Sequence, residues 1–119
     1  MRDFRKVKVW ENAHALALSV YRVTRSFPKE ELYGLTSQLR RSCSSIPANI
    51  AEGCGRSGQA ELGRFLHIAM GSASELDYHL LLARDLTLLD GSDHQRLALQ
   101  VVQVKQMLTG LLKRLKAES

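Results

Sequence analysis

Glu75 and His79 stand four residues apart in a helical pattern, a spacing that lets a carboxylate and an imidazole share a proton as an acid–base pair. The plainer reading of that spacing is an exposed pair on a solvated helix face. Gly53, Gly55 and Gly58 spell G-C-G-R-S-G, the GxGxxG string of dinucleotide-binding proteins. That string cradles a pyrophosphate only between a strand and a helix N-terminus, whereas residues 46–52 read as helix and no βαβ unit is visible. Here the glycines let one helix stop and the next begin. Cys43 and Cys54 lie eleven residues apart on one helical segment, roughly 16 Å at the helical rise, too far for a disulfide. They are expected to be reduced thiols. His14, His67, His79 and His94 are scattered without the i, i+4 repeat of a zinc helix, so no metal and no cofactor is expected. Ser42 to Ser45 have no base or oxyanion hole marked beside them, and their expected work is helix packing and back-bonding. Asn49 and Glu52 are expected to cap or bridge helices. The sequence offers no enzyme.

The elements that carry these residues are all helical. Residues 31–56, ELYGLTSQLRRSCSSIPANIAEGCGR, place Leu35, Leu39, Cys43, Ile46 and Ile50 on one side of a helix, with Pro47 inside the run. Proline has no N–H and its ring crowds the carbonyl four residues back, so a bend is expected there, with Ser44 and Ser45 near enough to occupy freed carbonyls. Gly53 is expected to end the helix through a positive-φ cap. The first helix is expected over residues 9–25, with Trp10, Ala13, Ala17, Val20 and Thr24 as its stripe and Leu16, Tyr21 and Val23 off it. The third, over 59–88, repeats Leu62, Leu66, Ala69, Ala73, Leu76, Leu80, Ala83 and Thr87 in a 4-3-4-3 spacing. Ser92 and Gln95 form a capping-box pattern opening the fourth, over 93–116, where Leu97, Val101, Val104, Leu108, Leu111 and Leu115 continue the spacing. With the second helix over 35–53, short connections make an all-α, up-down-up-down antiparallel four-helix bundle, one domain over residues 1–119, with helix two bent at Pro47.

Length and composition agree with that class. The 119 residues suffice for one core, and few aromatics with 45% hydrophobic residues suit a bundle better than a sandwich. The charged first eight residues lead into no apolar run, and no stretch reaches membrane-spanning length, so a cytoplasmic protein without membrane contact is expected. Helix three also carries Phe65, Ile68, Leu81, Leu82 and Leu86, and helix four Leu99, Val102 and Leu112, beyond what one seam needs. A second apolar stripe calls for a second copy of the chain; a wide apolar face around an ordinary core is the alternative.

The net charge of +5 is unevenly spread once the topology is applied. The start of helix one, the turn between helices two and three, and the end of helix four gather at one pole. There Arg2, Arg5, Lys6, Lys8, Arg56, Arg64, Lys113, Arg114 and Lys116 stand against Asp3, Glu11, Glu52, Glu61 and Glu118, leaving +4 at this pole and +1 elsewhere. A ring of such poles would suit phosphate backbones, with RNA as the favoured partner; the alternative is a solvated tip with a flexible basic arm. Arg40 and Arg41 form a second candidate patch on the flank of helix two. No aromatics interleave with the cations, so binding would follow the backbone rather than the bases. An interaction adaptor engaging a polymerase or another protein is the competing reading.

Residues 7–28, VKVWENAHALALSVYRVTRSFP, the segment 31–56, and residues 64–76, RFLHIAMGSASEL, together resemble the four-helix bundle family of 23S rRNA intervening-sequence proteins, also called S23 ribosomal proteins. The most specific stretch is QLRRSCSSIPANIAEG. The family commonly opens a helix with serine where this chain has Gly58, and Ser57 stands one position earlier. The resemblance implies a small bacterial bundle, often encoded by an insertion within the large ribosomal RNA gene, that closes into a homo-oligomeric ring, a pentamer. It does not imply a place in the ribosome. A similar bundle is the accessory variability determinant of diversity-generating retroelements, a basic ring that engages a reverse transcriptase and nucleic acid.

Overall fold

The computed structural model describes residues 2–118. Four helices follow one another: α1 (Lys8–Thr24), α2 (Leu35–Gly55), α3 (Gln59–Asp85) and α4 (Gly91–Glu118), with single 3-10 turns at Phe4–Lys6 and Lys29–Glu31. No strand occurs among the described residues. Each helix packs on the next and α4 returns to α1, closing a bundle 46 Å long. Cross-helix bonds fix the directions. Cys43 Sγ approaches the Ala17 carbonyl while Arg40 reaches Thr24, and Ser45 meets Ser72 while Arg41 meets Glu75, so α1 with α2 and α2 with α3 are antiparallel. Gln59 of α3 bonds Glu118 of α4 at 2.9 Å, giving the third antiparallel pair. No helix is long and apolar enough to cross a membrane among the described residues.

The seams of α2, α3 and α4 are buried along the expected spacing, from Leu35 to Ile50, Leu62 to Ala83 and Leu97 to Leu115. In α1 the stripe is rotated. Val9, Ala13, Leu16, Ala17 and Val20 are buried, so Leu16 belongs to the core, and Trp10 is only half-buried. Trp10 instead packs edge-on against Phe4 and stacks on His14, both at 4.9 Å. An indole at the rim of a narrow bundle covers the chain entering α1.

Four local expectations are corrected. α2 continues two residues past Gly53, which is buried inside the helix. A Cβ there would stand 3.0 Å from both Leu62 Cδ1 and Phe65 Cβ, so glycine is needed for close helix contact rather than for a cap. The positive φ falls on Gly58 (93°), immediately before α3. Ser44 Oγ donates to Arg41 O, and Ser45 Oγ pairs with Ser72 Oγ at 2.8 Å, so these hydroxyls serve other partners than the carbonyl freed by Pro47. α3 ends at Asp85, not at 88. Thr87 takes φ 60° beyond it, while Leu88 N and Leu89 N donate to Ala83 O and bury Leu89 over the core. α4 is capped by Asp90, whose Oδ1 accepts from Asp93 N at 2.8 Å and from the Ser92 hydroxyl at 2.9 Å, in place of a Ser92 capping box. Those bonds hold the Asp90 carboxyl below its usual pKa.

Candidate nucleic-acid interface

The segment before α1 is folded against the bundle. Asp3 Oδ1 accepts from Arg5 N at 3.1 Å, which turns Phe4 onto Trp10, and Arg2 N donates to Cys54 O at 2.9 Å. This places the N-terminal cations beside the end of α2. Arg2, Lys6 and Lys8 then face Gly110 and Arg114 of α4 across a groove of about 1000 Å³, floored by Val9, Met107 and Leu111. On the other flank of α4, Arg64 and His67 of α3 face Lys113 and Lys116 across a groove of about 830 Å³ with Met70, Leu112 and Leu115 in it. The last turns of α4 are therefore a ridge between two grooves, each with cationic walls.

Several of these cations are already partly neutralised. Arg5 lies 3.5 Å from Asp3, Lys8 3.8 Å from Glu11, Arg56 2.9 Å from Glu52 and Arg64 3.0 Å from Glu61. The Arg64 bond lowers the Glu61 carboxyl pKa and raises that of the guanidinium. All four pairs are solvent-exposed and therefore weak enough to exchange with an incoming anion. Arg2, Lys6, Lys113 and Arg114 make no ion pair within 4 Å among the described residues, and all are exposed. Arg56 and Arg64 both lie over the Phe65 ring, at 5.2 and 4.4 Å, which positions two guanidinium groups beside the α2–α3 turn.

Arg40 and Arg41 do not form one patch. Arg40 turns toward α1, where its Nε donates to Thr24 Oγ1 at 2.9 Å and its guanidinium lies 4.8 Å from the Tyr21 ring. Arg41 turns the other way and sits 3.5 Å from Glu75 of α3. Adjacent residues on a helix point about 100° apart, and here a helix neighbour stands on each side.

The residues with potential chemistry are structurally occupied. His79 is not one half of an exposed pair: it is only 5% exposed, its Nδ1 has no hydrogen-bond partner, and burial pushes its pKa down. Glu75 partly opposes that shift while its carboxylate faces Arg41. Cys43 is buried, its thiol pushed up to about 12 by desolvation, and Cys54 is shifted upward for the same reason. Both are free thiols. Neither is poised as a nucleophile. Asn49 Nδ2 donates to Ser45 O and Oγ within α2, rather than bridging to a neighbouring helix, and Glu52 is paired with Arg56. No ExxH pair of the di-iron kind was expected from the sequence reading, yet Glu11 and His14 have that spacing; Glu11 pairs with Lys8 and His14 stacks on Trp10. No group of three metal-ligating side chains forms among the described residues. The reading also missed Asn12, Gln103 and Gln106, neutral donors lining the first groove. Their signal was their position along the edge of the α1–α4 seam.

A model of the 23S rRNA-intervening sequence protein family matches residues 5–110. No curated protein matches the chain in sequence. Among solved structures, a protein of unknown function from the S23 ribosomal protein family of Bacteroides thetaiotaomicron superposes with a TM-score of 0.82 at 22% identity, covering 88% of this chain and 95% of the other. At that identity the superposition speaks for the fold, and the sequence match for the lineage. The chain belongs to the 23S rRNA-intervening sequence protein family.

Proposed function

We propose that this protein is a non-catalytic, cytoplasmic homo-oligomer that binds RNA along its phosphate backbone at the end of the bundle carrying both termini. The observation that carries this reading is the placement of Arg2, Lys6, Lys113 and Arg114, exposed and without an ion pair among the described residues, around the ridge formed by the last turns of α4. Cations on both flanks of a ridge meet successive phosphates, and among the described residues no Phe, Tyr or Trp lines either groove to read bases, Phe65 being covered by Arg56 and Arg64. Exposed Leu81, Leu99 and Val102 on α3 and α4, with Leu99 60% exposed, supply an apolar surface for assembly into a closed ring, and a pentamer follows from the family resemblance. A ring would repeat the basic end around one axis.

The test is a titration with a labelled structured RNA at two salt concentrations, after light scattering has fixed the mass of the particle. Binding that falls log-linearly with salt, and a Lys113→Gln/Arg114→Gln/Lys116→Gln variant whose slope is shallower by roughly 2–3, are the expected results. Binding unchanged in that variant would discard the site. The second reading, an adaptor that engages a polymerase or another protein, is favoured by the apolar floor of Met70, Leu112 and Leu115 in the α3–α4 groove. Salt-insensitive association with a protein, and no RNA binding at low salt, would select it.

A further inference from the structure

At the opposite end of the bundle, three cations line one cleft. Arg25 follows the last turn of α1, Lys29 begins the connection, and Arg40 projects from α2; together they line a cleft of about 290 Å³. None of the three forms an ion pair within 4 Å among the described residues. Arg40 is held in place. Its Nε is spent on Thr24 Oγ1, which itself donates to Val20 O at 2.8 Å, and Tyr21 lies beneath the guanidinium, so the two Nη groups remain for another acceptor.

Thr36 supplies an independent observation. It lines the same cleft as the second residue of α2, is 4% exposed, and its Oγ1 has no hydrogen-bond partner among the described residues. A buried hydroxyl left unpaired costs about 1–3 kcal/mol, and such groups are rare without a missing partner. The positive end of α2 lies here too. Two acids stand in the adjoining turn: Glu31, whose Oε1 accepts from Leu35 N at 3.2 Å and is thereby tied to the helix start, and the exposed Glu30. No carboxylate lines the cleft itself among the described residues, and its wall is cationic.

We propose that this cleft between the end of α1 and the first turn of α2 is a binding site for a phosphate monoester, held by Arg25, Lys29, Arg40 and Thr36. Planar guanidinium forks and an ammonium match a dianion with three terminal oxygens better than a single carboxylate. Phe27, Pro28 and Leu32 complete the wall with apolar surface, which receives the organic half of the ester. The site is separate from the basic end, so its failure would leave the RNA-binding reading untouched.

Calorimetric titration of the full chain with phenyl phosphate, beside inorganic phosphate and benzoate, tests it. Saturable binding of phenyl phosphate, tighter than benzoate, is expected, with at least a tenfold loss in Arg40→Gln and in Arg25→Gln/Lys29→Gln and a severalfold loss in Thr36→Val. The double variant alters two exposed side chains and keeps the bundle folded even where Arg40→Gln loosens the α1–α2 contact. Lys113→Gln/Arg114→Gln/Lys116→Gln should bind phenyl phosphate as the parent does. Absence of saturable binding, equal affinity for benzoate, or indifference to the cleft substitutions would overturn the site. In the Lys113→Gln/Arg114→Gln/Lys116→Gln background, tighter binding of a 5′-phosphorylated than a 5′-hydroxyl oligonucleotide identifies a nucleic-acid end as the ester, and equal binding identifies a small molecule.

Discussion

Gly53 and Phe65 bring α2 and α3 into contact so close that a Cβ on the glycine would lie 3.0 Å from the Phe65 Cβ. Leu62 closes the same gap from one turn earlier, its Cδ1 also at 3.0 Å. Alanine normally gains up to about 1 kcal/mol over glycine in a helix interior, but overpacking a well-filled contact costs about 1–3 kcal/mol. Gly53→Ala is therefore expected to lower stability by about 1 kcal/mol net. Gly71, in the middle of α3 with nothing within 4 Å of an added Cβ, is its control. Gly71→Ala should raise stability by about 0.5–1 kcal/mol. Urea midpoints of the two variants moving in opposite directions would establish the contact, and a stabilising Gly53→Ala would show that the helices can separate at no cost.

Thr87 ends α3 in the left-handed region, φ 60°, where a β-branched side chain crowds its own backbone. The surrounding bonds explain why the conformation persists: Leu88 N reaches back to Ala83 O, and Leu89 is buried as a result. Glycine would adopt the same turn without the crowding. Thr87→Gly is expected to raise the thermal midpoint, at a gain of about 0.5–1 kcal/mol after the entropy of the unfolded glycine is taken into account. A fall in the midpoint would mean that the threonine contributes a contact beyond its hydroxyl bond to Leu86 O.

Arg40 and Arg41 should separate cleanly in mutants. Arg40 holds Thr24 and covers Tyr21, both across the α1–α2 contact, so Arg40→Gln is expected to cost about 1–2 kcal/mol. Arg41 makes one exposed ion pair with Glu75, and Arg41→Gln should cost no more than about 0.5 kcal/mol. Equal losses in chemical denaturation would contradict the assignment of only the first to packing.

The sequence made the seams legible because a 4-3-4-3 spacing leaves few ways to bury leucines, and Leu62 to Ala83 and Leu97 to Leu115 lie where that spacing puts them. It was less informative at helix ends, where a single hydrogen bond decides. Asp90 and Ser92 are both good caps, and only the bond to Asp93 N distinguishes them. Leu16 was misassigned because the stripe was drawn through Trp10, whereas the buried face runs through Val9, Ala13, Leu16 and Val20. The basic end was legible through topology, since alternating helices must bring residues 2–8, 56–64 and 113–116 together. The cleft between the end of α1 and the start of α2 was not. It depends on Arg40 turning away from Arg41 and on Thr36 lying buried at the cleft wall without a hydrogen-bond partner among the described residues, neither of which is written in spacing.

His79 gives the fold a dependence on pH whose sign follows from its surroundings. Burial favours the neutral imidazole and holds its pKa below the ordinary 6.5; Arg41 acts in the same direction and Glu75 against it. The unfolded chain therefore takes up the proton first as pH falls, and stability must decline as pH drops through about 6.5 toward the folded value, while above that window the contribution is complete. Other carboxylates also titrate on the way down, so the informative quantity is a difference between proteins. His79→Leu, close in size and without a proton to bind, should lose less of its urea midpoint between pH 7.5 and pH 5.5 than the parent does. It should also gain at neutral pH, because it removes a buried Nδ1 that has no hydrogen-bond partner among the described residues. Identical pH losses in the two proteins would mean that the folded state accepts the proton as readily as the unfolded one, with Glu75 rather than burial setting the charge on this imidazole.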